Sequence, residues 1–195
     1  FQKGLKDVVA VHTKIASVEG DIGELRYRGV KVDELIPHKT FEQLAYFLWT
    51  GDLSEENSAI NTIEHLRLPD HVKQIIDALP VDVSLMDAMR TAISAYAHSE
   101  FKGKPIEEQA VTLTAALPVI IARHYRNQNG LAVVEPNPEY SLTANYLWML
   151  FGVVPNEVHV EALETYLKLT MEHGLNASTF AARVTISTES DLTAA

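Results

Sequence analysis

Cysteine is absent from this chain of 195 residues. Its absence excludes a disulfide framework, a thiolate metal site and a cysteine nucleophile. Histidine is the other common ligand, but the eight histidines never pair at i, i+4, and no H-E-x-x-H motif occurs. We therefore predict that the protein holds no metal and no resident cofactor.

Positive charge is also scarce, with 16 lysines and arginines against 26 acidic residues and a net charge of −10. Nucleic-acid binding proteins need a basic stripe, so this class is disfavoured. No apolar run approaches the ~20 residues of a membrane span, and no secretory signal is visible. We predict no nucleic-acid or membrane partner and a cytoplasmic location.

A strand-like pattern is confined to the first 30 residues. Leu25 and Tyr27 alternate with Arg26 and Arg28, and nearby glycines interrupt the run. Alternation of apolar and polar residues indicates a half-buried strand. We predict a short hairpin that pairs residues 14–19 with 24–28.

The rest of the chain shows helical periodicity. Capping boxes at Thr40/Gln43, Ser84/Asp87 and Thr188/Asp191 each predict a helix start. Proline and glycine separate the segments between them. The predicted helices cover residues 41–50, 54–67, 69–79, 85–98, 105–128, 139–151 and 156–173. The fold class is therefore all-α, a single multi-helical unit with a small N-terminal β-hairpin.

The helix predicted at 105–128 is apolar on nearly every side and contains Pro118. A helix of that kind lies in a core or an interface. Arg123 and Arg126 lie near its end, where basic side chains complement the helix dipole.

Residues 172–184 hold the most informative pattern of the chain. We predict that one helix ends at His173, with Gly174 after it, and that Asn176 caps the next. The second helix would offer backbone N–H groups to an anion, and the dipole of the first would favour a protonated His173. This arrangement suits the binding of a small carboxylic acid. The alternative is an ordinary helix corner, whose histidine and asparagine only satisfy buried backbone groups.

The same run and several others resemble the citrate synthase family. The resemblance rests on His-Gly-Leu-Asn-Ala-Ser at 173–178, Leu-Arg-Tyr-Arg-Gly at 25–29, and the segments 4–15, 40–53 and 86–95. Ser54 stands where the family usually has proline, Ser84-Leu85 replaces His-Pro, and Thr170 replaces a histidine. The matching segments follow in the family's order along almost the whole chain.

The resemblance implies a function and three substrate-binding residues. His173 falls on the histidine that hydrogen-bonds oxaloacetate, and Asn176 falls on the asparagine that supports that site. Ser178 falls on the serine that orients the first catalytic histidine. The family condenses acetyl-CoA, as a substrate rather than a cofactor, with oxaloacetate to give citrate and CoA.

The family's catalytic histidines, in G-P-L-H-G-G and G-x-G-H motifs, and its catalytic aspartate have no match in residues 1–195. The resemblance therefore implies that residues 1–195 form the N-terminal portion of the large helical domain, before the catalytic histidines and the small domain. We expect the catalytic residues downstream of Ala195, none within residues 1–195, and no synthase activity from the chain alone.

The resemblance also leaves alternatives open. A 2-methylcitrate synthase uses propionyl-CoA on the same framework, and a non-catalytic helical dimerisation or binding module could derive from the same fold. In the family, the helices that correspond to residues 86–98 and 105–128 pack against a second subunit. The resemblance therefore implies a homodimer.

Overall fold

The computed structural model describes residues 11–54 and 66–195. Within them lie three strands and nine helices: β1 (Ala16–Glu19), β2 (Glu24–Tyr27), β3 (Val30–Lys31), α1 (Val32–Leu35), α2 (Phe41–Thr50), α3 (Asp70–Ala78), α4 (Leu85–Ser94), α5 (Ser99–Lys102), α6 (Ile106–Gln128), α7 (Leu142–Phe151), α8 (Glu157–Thr170) and α9 (Ala177–Ile186). The all-α prediction is confirmed. The helix predicted at 54–67 falls largely outside the described residues.

The predicted hairpin is confirmed, with Ala16 opposite Tyr27 and Glu19 opposite Glu24. The strand β3 pairs with the free edge of β2 and was not predicted, because two residues are too few to show an alternation. The turn between β2 and β3 has Arg28 and Gly29 at φ values of 46° and 88°. Two successive positive φ values are typical of the two-residue turns that match the twist of a hairpin.

The helix α2 begins and ends as its sequence predicts. The Thr40 hydroxyl accepts a hydrogen bond from the Gln43 backbone N–H, and the Gln43 side chain accepts one from the Thr40 backbone N–H. At the other end Gly51 adopts φ +87°, a conformation that only glycine adopts at little cost. The predicted capping box is therefore confirmed.

The core consists of two apolar clusters, and α2 contributes residues to both. The larger cluster joins α3, α4, α6 and α7 around Val72, Ile76, Ala115 and Ile120. The smaller cluster packs the hairpin and α1 against one face of α2. Met171 contacts both clusters, so the chain that follows α8 is attached to both halves of the core.

The helix α6 runs through the larger cluster and contacts both α4 and α7. Its two arginines bind other elements rather than merely complementing the dipole. Arg123 forms a two-pronged ion pair with Asp77 of α3, at 2.8 and 2.6 Å. Arg126 is buried and donates to the carbonyl oxygens of Ala132 and of Leu150 at the end of α7.

Several predicted helix boundaries are wrong. The helix α7 begins at Leu142 rather than at 139, because Ser141 caps it by accepting from the Ala144 backbone N–H, and α8 ends at Thr170 rather than at 173. The helix α4 ends at Ser94 rather than near 98, because His98 instead caps α5 by accepting from the Phe101 backbone N–H. The Thr188/Asp191 pattern does not start a helix within the described chain: residues 192–194 form a turn. The Asp191 carboxylate accepts from the backbone N–H groups of Thr193 and Ala194 and caps that turn.

None of the helices in the described ranges is both long and apolar enough to cross a bilayer.

Candidate substrate-binding loop

The loop between α8 and α9 carries the three predicted site residues, but α8 does not reach it. The helix ends at Thr170, three residues before His173. His173 therefore lies in the loop and not at the last turn of a helix. The prediction that the dipole of α8 favours a protonated His173 loses its premise, because the dipole acts within the last turn.

Glu172 organises this loop. The residue is only 7% exposed, and its Oε1 atom accepts hydrogen bonds from the backbone N–H groups of His173, Gly174 and Leu175 at 2.9, 2.9 and 2.8 Å. Hydrogen bonds to an ionised acceptor are about twice as strong as neutral ones. A single carboxylate oxygen therefore holds three successive peptide groups.

The backbone turns sharply under this carboxylate. Gly174 and Leu175 have φ values of +90° and +59°. A left-handed conformation costs a leucine about 1–2 kcal/mol, so Leu175 needs support from its surroundings. The hydrogen bond from its own N–H to Glu172 supplies part of that support.

Asn176 caps α9, as predicted. Its Oδ1 atom accepts from the Thr179 backbone N–H at 2.8 Å, and the Thr179 hydroxyl donates to Glu172 Oε2 at 3.3 Å. One N–H group at the start of α9 is therefore already bound within the protein. Both Glu172 and Asn176 hold Thr179, so the loop and the first turn of α9 form one unit.

His173 and Ser178 are both exposed on this unit. Within the described part of the chain, the His173 ring makes no hydrogen bond. A histidine ring nitrogen that carries hydrogen can donate to a carbonyl or carboxylate oxygen. The structure thus places the three predicted residues on one loop and the following helical turn. The side chains of His173 and Ser178 are exposed to solvent, whereas the Asn176 side-chain oxygen caps α9.

The loop is also held from the N-terminal part of the chain. The Tyr27 hydroxyl at the end of β2 donates to the Lys168 carbonyl oxygen in the last turn of α8, at 2.8 Å. Burial raises the pKa of Tyr27 above its usual value, and the nearby Glu172 charge acts in the same direction. The methyl of Val18 lies 3.5 Å from the position that a Cβ on Gly174 would occupy.

Lys168 supplies the second attachment. It is 8% exposed, and its ammonium group donates to the carbonyl oxygens of Ile36 and Lys39 at 2.9 and 3.1 Å. These carbonyls follow α1, so the last turn of α8 is tied to α1 as well as to the hairpin. Sequence reasoning missed both Glu172 and Lys168, because a charged residue in a helical pattern is normally solvent-exposed.

No group of three or more histidine or acidic side chains within residues 11–54 and 66–195 is placed to hold a metal ion.

Comparison with known proteins assigns this chain to a family. A family model described as "Citrate synthase, C-terminal domain" matches residues 4–195. The citrate synthase of Mycolicibacterium smegmatis is 36% identical over 201 residues, which cover 98% of this chain and 53% of that protein. The 2-methylcitrate synthase of Mycobacterium tuberculosis is 36% identical over 199 residues, covering 98% of this chain and 51% of that protein.

The chain spans about half the length of these relatives, and the expectation of catalytic residues downstream of Ala195 concerns the other half. That expectation stays a prediction, because the described residues end at Ala195. The assignment of His173, Asn176 and Ser178 to oxaloacetate binding likewise stays a prediction.

Solved structures agree in fold. The citrate synthase of Thermoplasma acidophilum, solved as a ternary complex with carboxymethyl coenzyme A and oxaloacetate, superposes with a TM-score of 0.85 at 26% identity. The match covers 100% of this chain and 54% of that one. Over the span that it shares with these relatives, the chain belongs to the citrate synthase family.

Proposed function

We propose that the protein containing this chain condenses acetyl-CoA with oxaloacetate to give citrate and CoA. The observation that supports this proposal is the loop that Glu172 holds in place, which carries an exposed His173 beside the capped start of α9. A relative with the same fold was solved with oxaloacetate and a coenzyme A derivative bound.

The residues of this chain would hold the acceptor substrate. His173 would donate a hydrogen bond to an oxygen of oxaloacetate, with no proton transfer of its own. Asn176 would keep α9 and the loop together through its cap, and Ser178 would help to orient the first catalytic histidine. The catalytic histidines, the catalytic aspartate and the small domain are expected downstream of Ala195.

The reaction would follow the chemistry of a Claisen condensation. A carboxylate removes a proton from the methyl group of acetyl-CoA, and a histidine stabilises the enol that forms. The enol carbon then bonds to the carbonyl carbon of oxaloacetate, whose C=O π bond opens. The enol loses its hydroxyl proton as the thioester carbonyl re-forms, and the former carbonyl oxygen of oxaloacetate gains a proton to become a hydroxyl. Hydrolysis of the resulting thioester releases citrate and the CoA thiol, and no redox cofactor is needed.

A 2-methylcitrate synthase is the second candidate. The chain is 36% identical both to a citrate synthase and to a 2-methylcitrate synthase, so overall similarity does not separate the two acyl groups. A non-catalytic module remains the alternative of another class. It is less well supported, because the similarity extends over 98% of the chain, including the loop with His173.

A homodimer through α4 and α6 is part of this proposal. An apolar groove of about 290 Å³ lies along α6, and most of its lining comes from α6 and α7, with one residue from α4. It is lined by Met89 of α4, by Leu117, Pro118 and Ile121 of α6, and by Tyr146 of α7. A contiguous apolar surface of this kind suits a protein–protein contact. Location in the cytoplasm remains a prediction.

The direct test measures thiol release by the gene product that contains this chain, with oxaloacetate and either acetyl-CoA or propionyl-CoA. Faster turnover with acetyl-CoA supports the first candidate, and faster turnover with propionyl-CoA supports the second. Thiol release with neither would contradict both and favour the non-catalytic module.

The variant His173→Ala tests the loop itself. A hydrogen bond to a charged partner contributes about 1.5–3 kcal/mol, so the KM for oxaloacetate should rise about 10- to 100-fold. His159→Ala is the matched control, because His159 is an exposed histidine in the first turns of α8. An oxaloacetate response of His173→Ala equal to that of the control would remove His173 from the site.

A further inference from the structure

We propose that Glu172 is a positioning residue for oxaloacetate, which acts by fixing the backbone that carries His173. This inference rests on the proposed function for its substrate, but its structural part can be tested without that function. The inference is based on one geometric observation. A buried carboxylate accepts hydrogen bonds from three successive backbone N–H groups, and the exposed histidine belongs to one of these peptide groups.

The three N–H groups converge because of the left-handed conformation at Gly174 and Leu175. Successive backbone N–H groups in such a turn form a concave anion site. In many proteins an external anion occupies such a site. Here the carboxylate of Glu172 occupies it, so the loop is organised before any ligand arrives.

This occupancy has a consequence for recognition. The N–H groups of His173, Gly174 and Leu175 already donate to Glu172 and are not free for a substrate carboxylate. These three N–H groups therefore take no part in recognition, whereas the side chain of His173 remains open to a ligand. The exposed His173 ring is attached to a peptide group whose position Glu172 sets.

Glu172 also connects the loop to α9. Its second oxygen accepts from the Thr179 hydroxyl, while the Thr179 backbone N–H donates to Asn176. A shift of the carboxylate would therefore move His173 relative to the first turn of α9, where Ser178 lies. A displacement of a catalytic or binding group by about 1 Å can cost about two orders of magnitude in rate.

The test variant is Glu172→Gln, which keeps the size of the side chain and removes its charge. We expect the KM for oxaloacetate to rise about tenfold or more, with an unchanged KM for the acyl-CoA. Amide hydrogen exchange at His173, Gly174 and Leu175 should accelerate by about tenfold or more, because the charge-assisted hydrogen bonds to these amides weaken, while exchange in α6 stays as in the wild type.

Glu42→Gln is the matched control. Glu42 is also buried, and its carboxylate accepts from the Leu142 backbone N–H at 3.0 Å, at the start of α7. Its loss should lower thermal stability without changing the KM for oxaloacetate. An equal rise in KM for both variants would reduce Glu172 to a general structural role and overturn the proposal.

The double variant Glu172→Gln/His173→Ala separates positioning from stability. If Glu172 acts through His173, the KM of the double variant should equal that of His173→Ala alone, because two residues that act as one unit are not additive. Multiplicative effects would contradict the proposal, as would wild-type exchange rates at the three amides. Absence of oxaloacetate-dependent thiol release in the wild type would instead refute the proposed function and leave the exchange experiment intact.

Discussion

Lys168→Met should destabilise the protein by about 3 kcal/mol. The ammonium group donates to two carbonyl oxygens, at 2.9 and 3.1 Å, and lies 3.6 Å from the Glu164 carboxylate. Hydrogen bonds to charged groups contribute about 1.5–3 kcal/mol each, and removal of one partner of a buried ion pair costs about 3–5 kcal/mol. Glu164 is partly exposed, so the ion pair is screened and we take the lower end of these figures.

The loss can be measured by urea unfolding followed by far-UV circular dichroism, and by the melting temperature. For a chain of 150–250 residues, 1 kcal/mol shifts the melting temperature by about 2–4 °C, so we expect a drop of about 6–12 °C. Lys73→Met is the control, because Lys73 pairs with the exposed Asp70 at 3.2 Å. Its loss should cost no more than about 0.5 kcal/mol. Equal destabilisation by the two variants would refute the argument that burial gives Lys168 its importance.

Two further predictions concern a close backbone approach and two buried hydroxyls. Gly152→Ala should cost about 2–3 kcal/mol in urea unfolding, because Gly152 has φ +72° and a Cβ there would lie 3.1 Å from Arg126 Nη1. Gly130→Ala, at φ +64° in open space, should cost only about 1 kcal/mol, and equal costs would exclude the clash with Arg126. Burial raises the pKa of Tyr27 and Tyr96, so the free energy of unfolding should hold below about pH 10 and fall as pH rises above it. Tyr96→Phe should make the free energy of unfolding less dependent on pH above about 10 and should not change it at neutral pH, because the Tyr96 hydroxyl is buried with no partner among the described residues. Tyr27→Phe should lower the free energy of unfolding by about 1–3 kcal/mol, because it removes the hydrogen bond to Lys168. A loss for Tyr96→Phe as large as that for Tyr27→Phe would contradict this reasoning.

Helix starts could be predicted from the sequence, because the hydrogen bonds that cap them are local. Thr40, Ser84 and Asn176 each accept from a backbone N–H three residues ahead. Such a cap involves atoms within a single turn, so its residue types appear as a short pattern. The Thr188/Asp191 pattern failed because Asp191 caps a turn of its own.

The candidate site was predictable only in part. His173, Asn176 and Ser178 lie together on one loop and the following helical turn, and the predicted Asn176 cap is confirmed. Their role in substrate binding stays a prediction. The end of α8 was placed three residues too late. The end of α8 was missed because a helical sequence pattern does not show where a buried carboxylate will accept hydrogen bonds from the backbone N–H groups. Glu172 accepts such bonds directly after α8.

The fold class, the hairpin, most helix boundaries and the family resemblance could be predicted, because local periodicity and the order of short motifs are enough to indicate them. The contacts that hold the loop between α8 and α9 could not be predicted, because they join residues that are far apart in the sequence. Lys168 donates to Ile36 over a separation of 132 residues, and Tyr27 reaches the Lys168 carbonyl over 141. Partners that far apart leave no local pattern, and a charged side chain becomes buried only where packing supplies enough hydrogen bonds to offset its lost hydration.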